Sequence, residues 1–197
     1  MTEQTINYPV KFQIDYPDRN LDRLTSFFRL FTVIPIYLIL TLLLKSSSTG
    51  LVMIPTIFMI LFQQKYPRWW FDWNLAMTKF LNRISAYLCL MTDVYPSTDE
   101  DQSVHIEIQY PDTKKDINRW LPLVKWFLAI PHYIVLCFLF IAATAVVIIA
   151  WFAILFTGRY PKDLFNFVVG VFRWGLRVSA YAFLLTTDRY PPFSLDG

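Results

Sequence analysis

The chain has 197 residues, of which 55% are hydrophobic and 17% charged, and its formal net charge is +3. Soluble domains carry about 25% charged residues, and the apolar residues here are gathered in blocks, as in integral membrane proteins. The small net charge and the lack of an arginine-rich run argue against a nucleic-acid partner. The first 26 residues lack the apolar stretch of a cleavable signal peptide.

An internal repeat organises the chain. The segment RLFTVIPIY at 29–37 recurs as KWFLAIPHY at 125–133, and RISAY at 83–87 recurs as RVSAY at 177–181. The offset between the copies stays between 94 and 96 residues. We therefore predict two tandem membrane repeats, over residues 1–100 and 101–197.

Each repeat opens with an alternating stretch that predicts a short β-strand with one buried face. Val10, Phe12 and Ile14 alternate with polar residues in the first copy. Val104, Ile106 and Ile108 do so in the second. Because a lone two-stranded ribbon is marginal in water, we expect the strands to pair with each other or to lie against the membrane elements.

Apolar blocks follow the strands. The first repeat has an apolar block at 24–44, a serine-rich turn at 45–50 and a second block at 51–62 that either spans or re-enters the membrane. The second repeat has one block at 121–157, which is too long for one crossing and predicts a tight hairpin with its turn near 142–144. Pro35 and Pro131 predict a kink in the first helix of each block.

An amphipathic stretch closes each repeat, at 69–91 and 164–185. A polar stripe opposite aromatic bulk is typical of a helix that lies in the headgroup plane. A third transmembrane span in each repeat is the alternative. The polar stripes consist of Asp72, Lys79 and Arg83 in one copy and Asn166, Arg173 and Arg177 in the other.

Charge counts predict the topology. Four Lys and Arg residues lie in the N-terminal arm through Arg29, eight lie between 63 and 125, and five follow Gly158. The positive-inside rule then puts both termini and the middle segment in the cytoplasm of a multi-pass protein of the bacterial inner membrane. Seven of the eleven tyrosines precede a proline and are interpreted as interfacial anchors: Tyr8, Tyr16, Tyr66, Tyr95, Tyr110, Tyr160 and Tyr190.

The repeated basic residues are the candidate binding site. We predict that they contact anionic lipid headgroups, with snorkelling and positive-inside anchoring as the competing interpretation. The candidates are Arg29, Lys79, Arg83, Lys125, Arg173 and Arg177. His105 and His132 have no counterpart in the other copy, and no phosphate-binding loop or nucleophile motif is present. No catalytic residue, metal or cofactor is therefore predicted.

The chain also resembles a bacterial membrane family of unknown function. The resemblance lies in the stretch at 155–158, the helix that carries RVSAY at 177–181, and the ending TTDRYPPF at 186–193. The segment that ends at Tyr133 resembles the longer, duplicated members. The resemblance implies a membrane protein and assigns no chemistry.

These features predict a mainly α-helical integral membrane protein with two repeats, each consisting of a short strand, a transmembrane hairpin and an interfacial helix. The expected function is that of a non-catalytic accessory or scaffold subunit that contacts anionic lipids, with protein partners or self-association left open. A small transporter or lipid-translocating protein with a site between the repeats is the alternative.

Overall fold

The computed structural model describes residues 8–17, 19–46, 49–98, 100 and 102–196, and the fold is mainly helical with a small sheet. The strands are β1 (Val10–Ile14) and β2 (Val104–Ile108). The helices are α1 (Arg23–Thr32), α2 (Ile34–Ser46), α3 (Thr49–Phe58), α4 (Arg68–Leu88), α5 (Lys125–Leu128), α6 (Ile130–Thr157) and α7 (Lys162–Ala182). A π-helical turn (Met59–Gln63) extends α3, and a 3-10 turn (Leu121–Leu123) precedes α5.

The two predicted strands pair with each other. They are antiparallel, with Val10 opposite Ile108, Phe12 opposite Ile106, and Ile14 opposite Val104. In both strands every second residue is buried, because side chains of a strand point alternately to its two faces. The buried faces of both strands belong to the main core.

Each strand packs against the amphipathic helix of the other repeat: β1 against α7, and β2 against α4. Along β1, Tyr16 contacts Phe165 and Phe12 contacts Phe172, with ring centroids 5.1 and 6.4 Å apart. The strand therefore runs along α7 in the opposite direction. Neither repeat completes its core alone.

Near both prolines that were predicted to kink a helix, the structure has a break between two helices. The first helix of each block ends three residues before its proline, at Thr32 and Leu128, and the next helix starts one residue before it. Proline lacks the backbone N–H that the helix ladder needs, so the ladder is broken at each position.

The hairpin predicted for the second repeat is wrong. Residues 142–144 lie inside α6, a single helix of 28 residues. Alanine is the strongest helix former, and Thr144 satisfies its hydroxyl within the helix by donating to the Phe140 carbonyl at 2.8 Å. The helix that returns along α6 is the amphipathic α7. In the first repeat, helix extends to Ser46 and starts again at Thr49, so only residues 47 and 48 of the predicted turn lie outside the described residues.

α6 buries a narrow stripe and exposes the rest of its circumference. Ala129 just before the helix and Leu136, Ala143 and Ala150 within it are buried at intervals of seven residues. The most apolar part of the helix has a mean hydropathy of 2.9, with only 17% of it buried. Within the described residues, α6 is the single helix long and apolar enough to cross a membrane.

Candidate functional site

Two of the predicted lipid-binding cations form buried ion pairs. The Lys125 ammonium lies 2.6 Å from the Asp188 carboxylate, donates to the Thr187 carbonyl, and has a fully buried side chain. Burial lowers the pKa of Lys125, and Asp188 partly offsets this by favouring the charged form. Arg29 occupies the equivalent place in the first repeat, where it pairs with Asp93 and donates to the Thr92 carbonyl.

Three more of the predicted cations donate to backbone carbonyls. Arg83 donates to the Ser97 carbonyl at 2.7 Å, and Arg177 donates to the Asp196 carbonyl at 2.6 Å. These bonds hold the segment after each amphipathic helix against that helix. Arg173 of α7 connects two other segments, because it donates to the Phe12 carbonyl of β1 and to the Leu195 carbonyl of the C-terminal segment.

Five of the six predicted residues thus have partners inside the protein, and the structure does not bring the six together in one site. The sixth, Lys79, is half-buried on α4 and has no hydrogen bond or ion pair within the described part of the chain. A buried cation that is neutralised by a carboxylate or by carbonyls has little capacity left for a headgroup. Lipid binding by these residues stays a prediction.

Other basic residues gather around a pocket of about 240 Å³ at the C-terminal end of α6. The pocket lies between the repeats, because Tyr16 and Pro17 come from the first and residues 159–162 come from the second. The Tyr16 hydroxyl donates to the Tyr160 carbonyl and closes this junction. The pocket is lined by Tyr16, Pro17, Arg19, Leu21, Arg159, Tyr160 and Lys162.

A second pocket, of about 610 Å³, repeats this arrangement at the end of the π-helical turn. Here Tyr110 and Pro111 come from the second repeat and residues 63–68 from the first. The Tyr110 hydroxyl donates to the Tyr66 carbonyl, as Tyr16 does to Tyr160. Burial raises the pKa of both Tyr66 and Tyr160, so both rings are uncharged at neutral pH.

We refer to these as the first and second Tyr-Pro pockets. The sequence pattern pointed to parts of them, since Tyr-Pro recurs at 16, 66, 110 and 160 and a basic residue precedes the tyrosine at 65 and 159. It did not reveal that the Tyr-Pro of one repeat meets the Tyr-Pro of the other. That meeting depends on the exchange of strands between the repeats.

A third cavity, of about 360 Å³, lies between α1, the end of α4 and the middle of α6. Its walls are mainly apolar and include Leu88, Val147 and Trp151. Two buried polar atoms of its lining residues, Ser26 Oγ and Arg29 Nε, have no hydrogen-bond partner within the described residues. The cavity thus combines apolar walls with two unused donors.

A family model described as a domain of unknown function, DUF4389, matches residues 23–98 and again residues 120–194. The chain belongs to this family. It is a tandemly duplicated member, as the internal repeat predicted. The two DUF4389 matches omit both strands, so the exchange of strands described above lies outside the matched segments. The chain matches no curated protein and no solved structure.

Proposed function

We propose that this chain is a non-catalytic protein of the bacterial inner membrane that contacts anionic lipids and serves as an accessory or scaffold subunit of a larger assembly. The observation that carries the proposal is the exposed apolar surface of α6. Large side chains along the whole helix, among them Phe138, Ile141 and Phe156, are 69%, 64% and 78% exposed. Soluble proteins rarely leave an apolar surface of this length in water.

The layers of the protein suggest how it sits in the membrane. The outer face of the sheet is polar, with the side chains of Lys11 and Glu107 73% and 74% exposed and 3.3 Å apart. Beneath the sheet lies the layer of amphipathic helices, and α6 packs along α7. We place the sheet in water and α6 in lipid, on opposite faces of the molecule.

This layering favours α6 lying along the membrane rather than across it. Near its start, Lys125 donates to the Thr187 carbonyl, and just after its end Gly158 accepts from the Leu21 backbone N–H at 2.9 Å. Tyr8 joins the strand segment to the C-terminal segment by donating to the Arg189 carbonyl. A crossing α6 would carry the charged sheet into the hydrocarbon region, where each charge costs at least 2.5 kcal/mol or so. A helix that lies in the interface avoids this cost.

Two measurements test this proposal. The protein should stay with the membrane fraction after an alkaline carbonate wash, and its release by that wash would contradict membrane insertion. Single cysteines at Ile130 and Thr157, in a chain with Cys89 and Cys137 replaced by alanine, report the two ends of α6. Labelling of both ends from the cytoplasmic side supports the in-plane arrangement, whereas labelling from opposite sides would show a crossing helix.

The cavity between the repeats favours a second candidate function, a small transporter or lipid-translocating protein. An apolar pocket with a few convergent polar groups is the usual form of a ligand site. The two unused donors, Ser26 Oγ and Arg29 Nε, would suit a carbonyl or carboxylate at the end of an apolar chain. Val147→Trp, which fills the cavity, should displace a copurifying amphiphile in native mass spectrometry. An unchanged lipid complement would count against this candidate.

A further inference from the structure

We propose that the two Tyr-Pro pockets each bind the phosphate group of an anionic phospholipid headgroup. This inference rests on the membrane insertion proposed above and names the residues that would select the lipid. It moves the site from the six repeated cations, most of which are engaged internally, to a different set. That set is Arg19, Arg159 and Lys162 in the first pocket and Lys65, Arg68 and Lys114 in the second.

The first support is that the same pocket is built twice. Tyr16 and Tyr160 of the first pocket correspond to Tyr110 and Tyr66 of the second, and Arg159 corresponds to Lys65. Both pockets form across the repeat boundary, and in both a tyrosine hydroxyl fixes the junction by binding a carbonyl of the other repeat. Both cavities are thus lined by a basic residue, two tyrosines and the proline that follows the tyrosine of the strand segment, Pro17 or Pro111.

The second support is the state of the cations. In contrast to Arg29 and Lys125, the basic side chains of the first pocket are exposed. Among the described residues, the Arg159 guanidinium donates to the Asn20 amide oxygen at 3.0 Å, and the Lys162 ammonium lies over the Tyr16 ring at 5.3 Å. An amide oxygen and a ring carry no net charge, so within the described part of the chain these two contacts leave both cations able to bind a phosphate, which guanidinium and ammonium groups bind well. Asp18 lies outside the described residues.

The second pocket is less positive. Its Arg68 has an exposed ion pair with Asp72 at 3.6 Å, and Asp112 is part of the lining. One carboxylate oxygen of Asp112 accepts a hydrogen bond from the Lys114 backbone N–H at 3.1 Å, within the same turn. The carboxylate nevertheless adds a negative charge to the lining. We therefore expect the first pocket to hold a phosphate more tightly than the second.

The third support is location. Phe156 lies three residues before Arg159 and is 78% exposed, and Phe62 lies three residues before Lys65 and is 67% exposed. Each pocket therefore lies where an apolar helix end meets a cation and a tyrosine, which is the arrangement expected at the headgroup level. A free phosphate ion would leave the exposed rings in water, whereas the acyl chains of a lipid would cover them. We therefore assign the pockets to a lipid.

The experiment uses the full chain in nanodiscs of phosphatidylcholine mixed with phosphatidylglycerol, with retained lipids counted by native mass spectrometry. Arg159→Gln with Lys162→Gln removes two cations of the first pocket, and Lys65→Gln with Arg68→Gln removes two of the second. Since one basic residue near an anionic surface is worth about a fivefold change in binding, each pair should reduce phosphatidylglycerol retention roughly tenfold or more. Lys11→Gln with Gln13→Glu is the control for net charge, because it lowers the net charge by the same two units on the exposed face of β1, outside both pockets. The control should retain wild-type lipid.

Several outcomes would overturn the inference. Equal loss of phosphatidylglycerol in the control would assign the effect to net charge, and wild-type retention in the combined four-residue variant would show that the pockets are not the site. Complete displacement of phosphatidylglycerol by inorganic phosphate would identify a soluble ligand instead. The charge-preserving pair Arg159→Lys with Lys162→Arg should retain the lipid, which separates loss of charge from misfolding. The carbonate wash measures membrane insertion separately. A result that excludes the pockets as the lipid site therefore does not contradict the proposed membrane insertion.

Discussion

Asp188 holds Lys125, which lies 63 residues earlier in the chain, in an ion pair of 2.6 Å with no exposed surface on the lysine side chain. Asp93 does the same for Arg29 in the other repeat. Each pair ties the start of a repeat's helical block to the segment that follows its amphipathic helix. Removal of one partner from a buried pair leaves an uncompensated charge, which is more costly than the loss of the pair itself.

Asp188→Asn should lower the free energy of unfolding by about 3 kcal/mol, because Lys125 then remains buried without its counter-charge. Thermal unfolding in detergent, followed by circular dichroism, measures the loss. Lys125→Met combined with Asp188→Asn is the matched variant and should be less destabilised than the single change. If the double variant were the less stable of the two, the buried charge would not be the cause.

The stability deficit of Asp188→Asn should also depend on pH. With Asp188 neutral, burial alone acts on Lys125 and holds its pKa below the ordinary value of 10.5. The unfolded chain then binds more protons than the folded one between these two pKa values, so the stability of the variant rises with pH in that interval. Unfolding measured from neutral to alkaline pH should show the deficit shrinking. A deficit that grows with pH would contradict this assignment.

Two equivalent residues end the long helices in left-handed geometry, Gln64 with φ 47° and Gly158 with φ 75°. Glycine adopts this geometry without strain, whereas other residues pay roughly 1 kcal/mol. Gly158→Ala should therefore destabilise the protein by about 1 kcal/mol, since a β-carbon there meets no neighbour closer than 3.6 Å and the cost is conformational. Gln64→Gly should have the opposite sign. Unfolding measured in the same detergent compares the two, and equal signs would refute the reasoning.

A lysine on the exposed face of α6 separates a lipid environment from an aqueous one. Ile141 is 64% exposed near the middle of the helix. In lipid, Ile141→Lys should cost about 3 kcal/mol at most and weaken membrane association, whereas in water the change would be near neutral. Phe156→Lys should weaken membrane association to a similar extent, because an α6 that lies along the membrane holds both positions at about the same depth. Membrane fractionation of both variants beside the wild type measures the difference, and unchanged association of Ile141→Lys would place this face outside the lipid.

Much of the fold could be predicted from local pattern. Alternation at Val10–Ile14 and Val104–Ile108 specified two strands with one buried face, and Pro35 and Pro131 specified the helix interruptions, because both effects depend on neighbouring residues alone. The length of the apolar block at 121–157 predicted a hairpin turn at 142–144, and this prediction was wrong. Turn formation needs residues that leave the helix readily, and this segment has none.

The candidate site depended on tertiary structure. The sequence by itself determined that the chain is duplicated, apolar and basic at equivalent positions, and those are properties of residue type and spacing. Whether a given cation faces inward or outward was decided only when distant segments met. Arg29 and Lys125 turn inward because segments about 60 residues later supply a carboxylate and free carbonyls, while Arg159 and Lys162 keep their charges exposed beside a tyrosine from the other repeat. Side chains of the same charge thus differ in role because burial and partners, which periodicity does not encode, set the free energy of each charge.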